Sequence, residues 1–119
     1  MPRILLVDDE ELVRRVVRVV LEAEGHEVVE AADGEQALAA VAQMPPHAVV
    51  LDLLIPGMDG YQICRKLKGE HPGAKVLVLS SVPADEADVE AKAAGADEVM
   101  SKPFSALDLL HRLSALLEG

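Results

Sequence analysis

Four short apolar runs, each ending in a polar residue, constrain this chain more than any other feature. Ile4-Leu5-Leu6-Val7 ends in Asp8-Asp9, and Ala48-Val49-Val50-Leu51 ends in Asp52. Val76-Leu77-Val78-Leu79 ends in Ser80-Ser81, and Ala96 to Ser101 ends in Lys102-Pro103. Continuous apolar runs of this length, bounded by polar residues, read as strands buried on both faces. If the strands are parallel, their C-terminal ends share one edge of one sheet, the edge where open α/β sheets place ligands. Three carboxylates and a lysine would then meet in one pocket with surplus negative charge. Such a pocket calls for a divalent cation.

The intervening segments carry helical spacing. Leu12, Val16, Val19 and Val20 fall on one stripe, with Arg14, Arg15 and Arg18 on another, and Gly25 stops that helix. His26 to Ala32 reads as a short strand, and Asp33-Gly34 turns into a helix over 35–44 with Leu38 and Val41 inward. Pro45-Pro46 ends it, because proline neither continues a helix nor lets the preceding residue stay helical. Asp59-Gly60 opens a third helix with Ile63 and Leu67 inward, closed near Gly69. Residues 85–94 read as a fourth helix with Gly95 as its C-cap. Ser105 reads as the N-cap of the last helix, with Asp108 at its third position and Leu109, Leu110, Leu113, Leu116 and Leu117 on one face. This order is (βα)5, which demands a doubly wound parallel sheet with right-handed crossovers and helices on both faces.

Size and charge narrow the function. The 119 residues make one domain, 1–119, and half of them are hydrophobic, which excludes disorder. A net charge of −10 and an aromatic content of 2% argue against direct nucleic-acid binding by this domain, which needs basic phosphate contacts and stacking rings. No apolar stretch approaches the ~20 residues needed to span a bilayer. The first strand starts by residue 4, leaving no space for a signal peptide, and Cys64 is alone. These features together point to the cytoplasm.

Each polar residue has an ordinary explanation taken singly. Asp8-Asp9-Glu10-Glu11 could be acidic residues favoured at a helix N-terminus. Lys102 could be a surface lysine and Ser80 a strand-end hydroxyl. Asp52 resists this, because a Leu-Leu-Ile-Pro-Gly loop follows it instead of a helix to cap. The joint occurrence, one residue type per strand end, is what makes coincidence improbable. Asp9 and Asp52 offer the hard oxygen ligands that Mg²⁺ prefers. Asp52 can also act as a carboxylate nucleophile toward a phosphoryl group. Lys102 can neutralise phosphoryl oxygens, and Ser80 can donate to one of them, in a transfer governed by positioning and electrostatics.

The stretches Ile4 to Glu10, Leu51 to Gly60, Leu79-Ser80-Ser81, Gly95-Ala96-Asp97 and Ser101 to Phe104 together resemble the receiver domain of bacterial two-component response regulators, over essentially the whole chain. The resemblance implies the flavodoxin-like five-stranded sheet, order 2-1-3-4-5, often with a cis Lys-Pro bond. It implies that Asp52 is the phosphoacceptor, with Asp8 and Asp9 as the acid pocket. Asp9, Asp52 and the Leu54 carbonyl would ligate Mg²⁺, while Ser80 and Lys102 contact the phosphoryl group. The implied donor is a histidine kinase or a histidine phosphotransfer protein, and the implied reader is a downstream protein or a fused output domain. A receiver catalyses only its own phosphorylation and dephosphorylation. By the same resemblance, Leu54 and Val82 flank the path of the water that hydrolyses the phosphate, with Pro83 stiffening the loop.

Two departures from the family pattern stand out. The position three before the lysine, usually Tyr or Phe, is Val99, which is stiff at χ1 and has no ring to swing. The segment of the fourth helix carries Asp85, Glu86, Asp88 and Glu90 against Lys92, where a winged-helix subfamily presents basic residues for dimerisation. A monomer or a weak phosphorylation-dependent dimer is therefore expected. The competing reading is an aspartyl-phosphate phosphohydrolase of haloacid-dehalogenase-like type. That would need a second Asp two residues after Asp52, where the chain has Leu54. A Rossmann-type nucleotide domain would need glycines where Asp8-Asp9-Glu10-Glu11 stands.

Overall fold

In the computed structural model the described residues are 2–55, 57, 59–81 and 84–118, without the side chains of 84–88. The expectations placed on Val82 and Pro83, and on the side chains of Asp85, Glu86 and Asp88, lie outside the described residues. Five strands and five helices alternate. The strands are β1 (Arg3–Val7), β2 (Glu27–Ala31), β3 (Ala48–Asp52), β4 (Lys75–Ser80) and β5 (Glu98–Ser101). The helices are α1 (Glu11–Ala23), α2 (Gly34–Gln43), α3 (Gly60–Glu70), α4 (Ala84–Ala93) and α5 (Ala106–Glu118). All strand pairs are parallel, in the order β2-β1-β3-β4-β5.

The period-2 alternation of strand side chains sorts each apolar run between two cores. Leu5, Val7, Val49, Leu51, Val76 and Val78 face α2, α3 and α4, which contribute Ala37, Val41, Ile63, Cys64, Leu67 and Ala91. Ile4, Leu6, Val50, Leu77 and Leu79 face α1 and α5, which contribute Val17, Leu21, Leu109, Leu110 and Leu113. β3, at the centre, is buried along its whole length. Among the four apolar runs, the β5 run is the exception to burial on both faces. At the sheet edge it exposes Ser101 and half-exposes Glu98 and Val99.

Helix ends follow the capping residues. Asp33 accepts from the Gln36 amide at 2.8 Å, Asp59 from Tyr61 at 2.9 Å and Ser105 from Asp108 at 3.3 Å. Gly95 has φ +103° and closes α4, with the Ala96 amide reaching back to the Ala91 carbonyl at 2.9 Å. α3 runs on through Gly69 to Glu70, one residue past the glycine expected to end it.

α1 is set differently from the sequence reading. Leu12, Val16 and Val19 are 75%, 56% and 68% exposed, while Val17 and Leu21 are buried. The stretch Val13 to Leu21 carries apolar residues on two adjacent stripes, and a 3.6 period alone does not choose between them. Packing against β1 and α5 selects Val13, Val17, Val20 and Leu21. That rotation also brings Arg14, which the sequence places on the charged stripe with Arg15 and Arg18, to a side-chain exposure of 14% beside Glu30 of β2.

Candidate functional site

The register places the strand ends together. Asp52 pairs with Leu79, and Ser80 pairs with Ser101, the residue before Lys102. The Leu53 amide donates to the Leu79 carbonyl at 3.1 Å and the Lys102 amide to the Ser80 carbonyl at 2.7 Å. The Lys102-Pro103 peptide is cis, as the resemblance implied. α3 holds the loop after Asp52 by contact. A Cβ on Gly60 would lie 2.7 Å from Leu53 Cα and 2.8 Å from its carbonyl oxygen, so only glycine lets the helix press this close.

Asp8, Asp52 and Ser80 are the buried polar residues of the described chain. Lys102 Nζ donates to Asp52 Oδ2 at 2.6 Å and lies 3.9 Å from Asp8 Oδ2. Asp52 Oδ1 accepts from the Leu54 amide at 3.0 Å, while the Leu54 side chain points outward. Asp8 Oδ1 accepts from the Glu10 amide at 2.9 Å. Glu10, the N-cap of α1, makes no side-chain cap, so the acidic stretch does not serve chiefly to cap this helix. Asp9 is exposed, yet a carboxylate oxygen from each of Asp8, Asp9 and Asp52 lies within 4.8 Å of the others. Asp8, Asp9, Asp52 and Lys102 thus converge, and Ser80 ends the neighbouring strand.

Electrostatics set the character of the pocket. Burial raises the Asp8 carboxyl above its ordinary value, the Glu10 amide partly offsets this, and the charge of Asp52 adds to it. Burial alone would lower the Lys102 ammonium, but its hydrogen bond to Asp52 and the fields of Asp52 and Asp8 outweigh that and hold it raised. One lysine therefore faces three carboxylates. Asp8 Oδ2 is buried with no hydrogen-bond partner among the described residues. An orphaned buried carboxylate oxygen beside two others is the donor set of a hard divalent cation, so the residues fit Mg²⁺.

Sequence reasoning passed over two groups nearby. Arg14 and Glu30 join α1 to β2 through a 2.9 Å bond beside the pocket, and a glutamate inside the apolar strand 27–31 was the available signal. Leu12, Val16 and Phe104 border an open groove of about 600 Å³ that runs up to Lys102. The exposed side of α1 was the signal for that groove.

The chain matches the response regulator receiver domain family over residues 4–114. It is 40% identical over 114 residues to the probable transcriptional regulatory protein TcrX of Mycobacterium tuberculosis, covering 96% of this chain and 49% of that protein. It is 41% identical over 115 residues to response regulator MprA of the same species, covering 97% of this chain and 50% of that one. The chain spans about half the length of the curated relatives it matches. Among solved structures, a CheY-like receiver domain from Methanospirillum hungatei superimposes with a TM-score of 0.94 at 30% identity, covering 99% of this chain and 94% of that one. With the parallel 2-1-3-4-5 sheet and the carboxylates at its edge, these matches agree: the chain belongs to the response regulator receiver domain family.

Proposed function

We propose that Asp52 is the phosphoacceptor of this signalling module, taking its phosphoryl group from a phosphohistidine on a partner kinase or phosphotransfer protein. The observation that carries this reading is the 2.6 Å contact of Lys102 Nζ with a buried Asp52, ringed by two further carboxylates. An Asp52 carboxylate oxygen attacks phosphorus, forming an O–P bond as the N–P bond breaks, and the imidazole leaves. Lys102, already ion-paired to Asp52, stays beside the incoming phosphoryl oxygens, and Ser80 at the adjacent strand end is placed to donate to one. Asp8, Asp9, Asp52 and the Leu54 carbonyl would hold Mg²⁺, which when bound neutralises phosphoryl charge. The fold spends its catalytic means on positioning and charge, which suits self-modification and not turnover of a free substrate. The family match supports this reading over the dehalogenase-like phosphohydrolase.

The groove beside Lys102 supports an apolar helix of the histidine-bearing partner as its occupant, since Leu12, Val16 and Phe104 line it up to Lys102, which contacts Asp52. Between α5 and β5, Arg112 pairs within the chain with Glu98 at 3.4 Å, and along α5 with Asp108 at 3.7 Å, which supports a monomer or weak dimer. A charge of −10 supports a protein and not a nucleic-acid partner for this domain. Among the described residues no helix is long and apolar enough to cross a membrane. A reader or output region, on this chain or another, would sense the phosphorylated surface.

The test uses acetyl phosphate or BeF₃⁻ with Mg²⁺. Wild type gains one phosphoryl group by intact mass, and Asp52→Ala gains none. Equal labelling of both proteins rejects the assignment.

A further inference from the structure

The peptide unit joining Asp8 to Asp9 decides where the Asp9 carboxylate is delivered, because its plane is rigid. Asp8 is fixed from three sides. Its amide donates to the Ala31 carbonyl at 3.1 Å, its Oδ1 accepts from Glu10, and its carbonyl accepts from Arg14 Nη1. Arg14 is itself held, since its Nε donates to Glu30 Oε1 at 2.9 Å. Glu30 Oε2 in turn accepts from Arg18 Nη1 at 2.7 Å. The guanidinium fork is rigid and planar, so a bond at one edge to Glu30 aims the other at the Asp8 carbonyl. Asp9 itself is exposed, so its placement depends on the peptide that carries it.

From this geometry we infer that Arg14, oriented by Glu30, is a positioning residue for the acid pocket: it sets the Asp8–Asp9 peptide so that Asp9 joins Asp8 and Asp52 as a cation ligand. The inference rests on the reading of that trio as the Mg²⁺ site. It differs in sign from plain electrostatics. Removing a cation close to the carboxylates would tighten Mg²⁺ binding, whereas releasing the peptide that carries a ligand weakens it.

The test is the Mg²⁺ dissociation constant of the whole chain, read from an NMR titration of backbone amides with MgCl₂. Arg14→Met keeps the apolar stem and removes the fork. It should weaken Mg²⁺ roughly 10-fold, the low end for partners that orient metal ligands. Glu30→Gln should weaken it less, and adding it to Arg14→Met should change nothing further. Arg18→Met, which loses a bond to Glu30 but none to Asp8, should bind as wild type does. Wild-type or tighter affinity in Arg14→Met overturns the inference, even if its melting temperature falls, because the arginine is then only a strut between α1 and β2. An equal loss in Arg18→Met overturns it too, by showing general loosening. If Arg14→Met does not fold, an unchanged constant in Glu30→Gln overturns it. A wild type blind to Mg²⁺ removes the metal-site reading itself, a result distinct from the others.

Discussion

Two lysine–aspartate pairs sit at opposite ends of the same sheet, and only one is finished. At the N-terminal edge Lys68 Nζ meets Asp97 Oδ2 at 3.0 Å, and at the C-terminal edge Lys102 Nζ meets Asp52 Oδ2 at 2.6 Å. The two lysine side chains are almost equally exposed, 19% and 21%. Their surroundings differ. Lys68 also donates to the Ala74 carbonyl at 2.9 Å, and Asp97 Oδ2 also accepts from the Val76 amide at 2.8 Å. Charge is balanced there and donors meet acceptors. At the other end one lysine serves two buried carboxylates and a third beside them, and Asp8 Oδ2 has no hydrogen bond. A closed pair ties α3, β4 and β5 together, whereas the open one leaves a buried carboxylate oxygen of Asp8 without a hydrogen bond among the described residues.

The largest expected effect comes from breaking the closed pair. Lys68→Met leaves Asp97 and the carbonyls of Ala74 and Pro72 short of a donor, and such orphaning costs about 1–3 kcal/mol. The melting temperature should fall by several degrees in calorimetry. Labelling of Asp52 by acetyl phosphate should be unchanged, since Lys68 lies at the far end of β4. A labelling defect without loss of stability would erase the distinction between the two ends.

The open end should respond in the opposite sense. Asp8→Asn removes one of three like charges, each unit pair being worth on the order of 1–4 kcal/mol between water-like and surface dielectrics. Lost attraction to Lys102 reduces the gain, so metal-free stability should rise toward the low end of that range. The wild-type rise in melting temperature with millimolar Mg²⁺ should shrink in the variant. The pH dependence fixes the sign. Burial raises the folded Asp8 carboxyl above its ordinary 3.8, so the native state binds the extra proton. Stability from this group is thus greatest below the unfolded value and falls as pH rises through the folded one. Glu30 runs the other way, held low chiefly by Arg18, with burial opposing and Arg14 assisting. The informative quantity is therefore wild type minus Asp8→Asn in urea titrations from pH 3 to 8. A difference that grows with pH in favour of wild type would contradict the crowded-pocket account.

The same contrast explains what was legible in the sequence. Asp8, Asp9, Asp52, Ser80 and Lys102 were readable because a parallel sheet turns strand-end positions into one location, whatever the side-chain details. The fold class follows from the same alternation, whereas the strand order was implied by the resemblance to the receiver family and is the one observed. The Lys68–Asp97 clip was not readable, because a lysine late in a helix and an aspartate after a glycine turn are ordinary in any surface. Arg14 was hidden by the choice of stripe on α1. Val13, Val17 and Leu21 recur as regularly as Leu12, Val16 and Val19 do, and only tertiary packing rotates the helix one way. Val99 stands where the family pattern carries a ring, and it packs half-buried against the core shared with α3 and α4.

The smallest effect concerns how long the open end stays occupied. Leu54 is anchored through its amide to Asp52 Oδ1, while its side chain is 63% exposed beside the acceptor. By the resemblance to the family this position flanks the path of the hydrolytic water, and an aliphatic group offers no hydrogen bond to orient that water. Leu54→Asn supplies both a donor and an acceptor without disturbing a buried contact. Phosphate loss from the labelled, Mg²⁺-loaded protein should quicken roughly fivefold, a barrier change of about 1 kcal/mol. Lys68→Met, altered only at the closed end, should lose phosphate at the wild-type rate. Unchanged or slower loss in Leu54→Asn would show that water access at this position does not limit the lifetime. Faster loss in Lys68→Met would show that the two ends of the sheet are coupled.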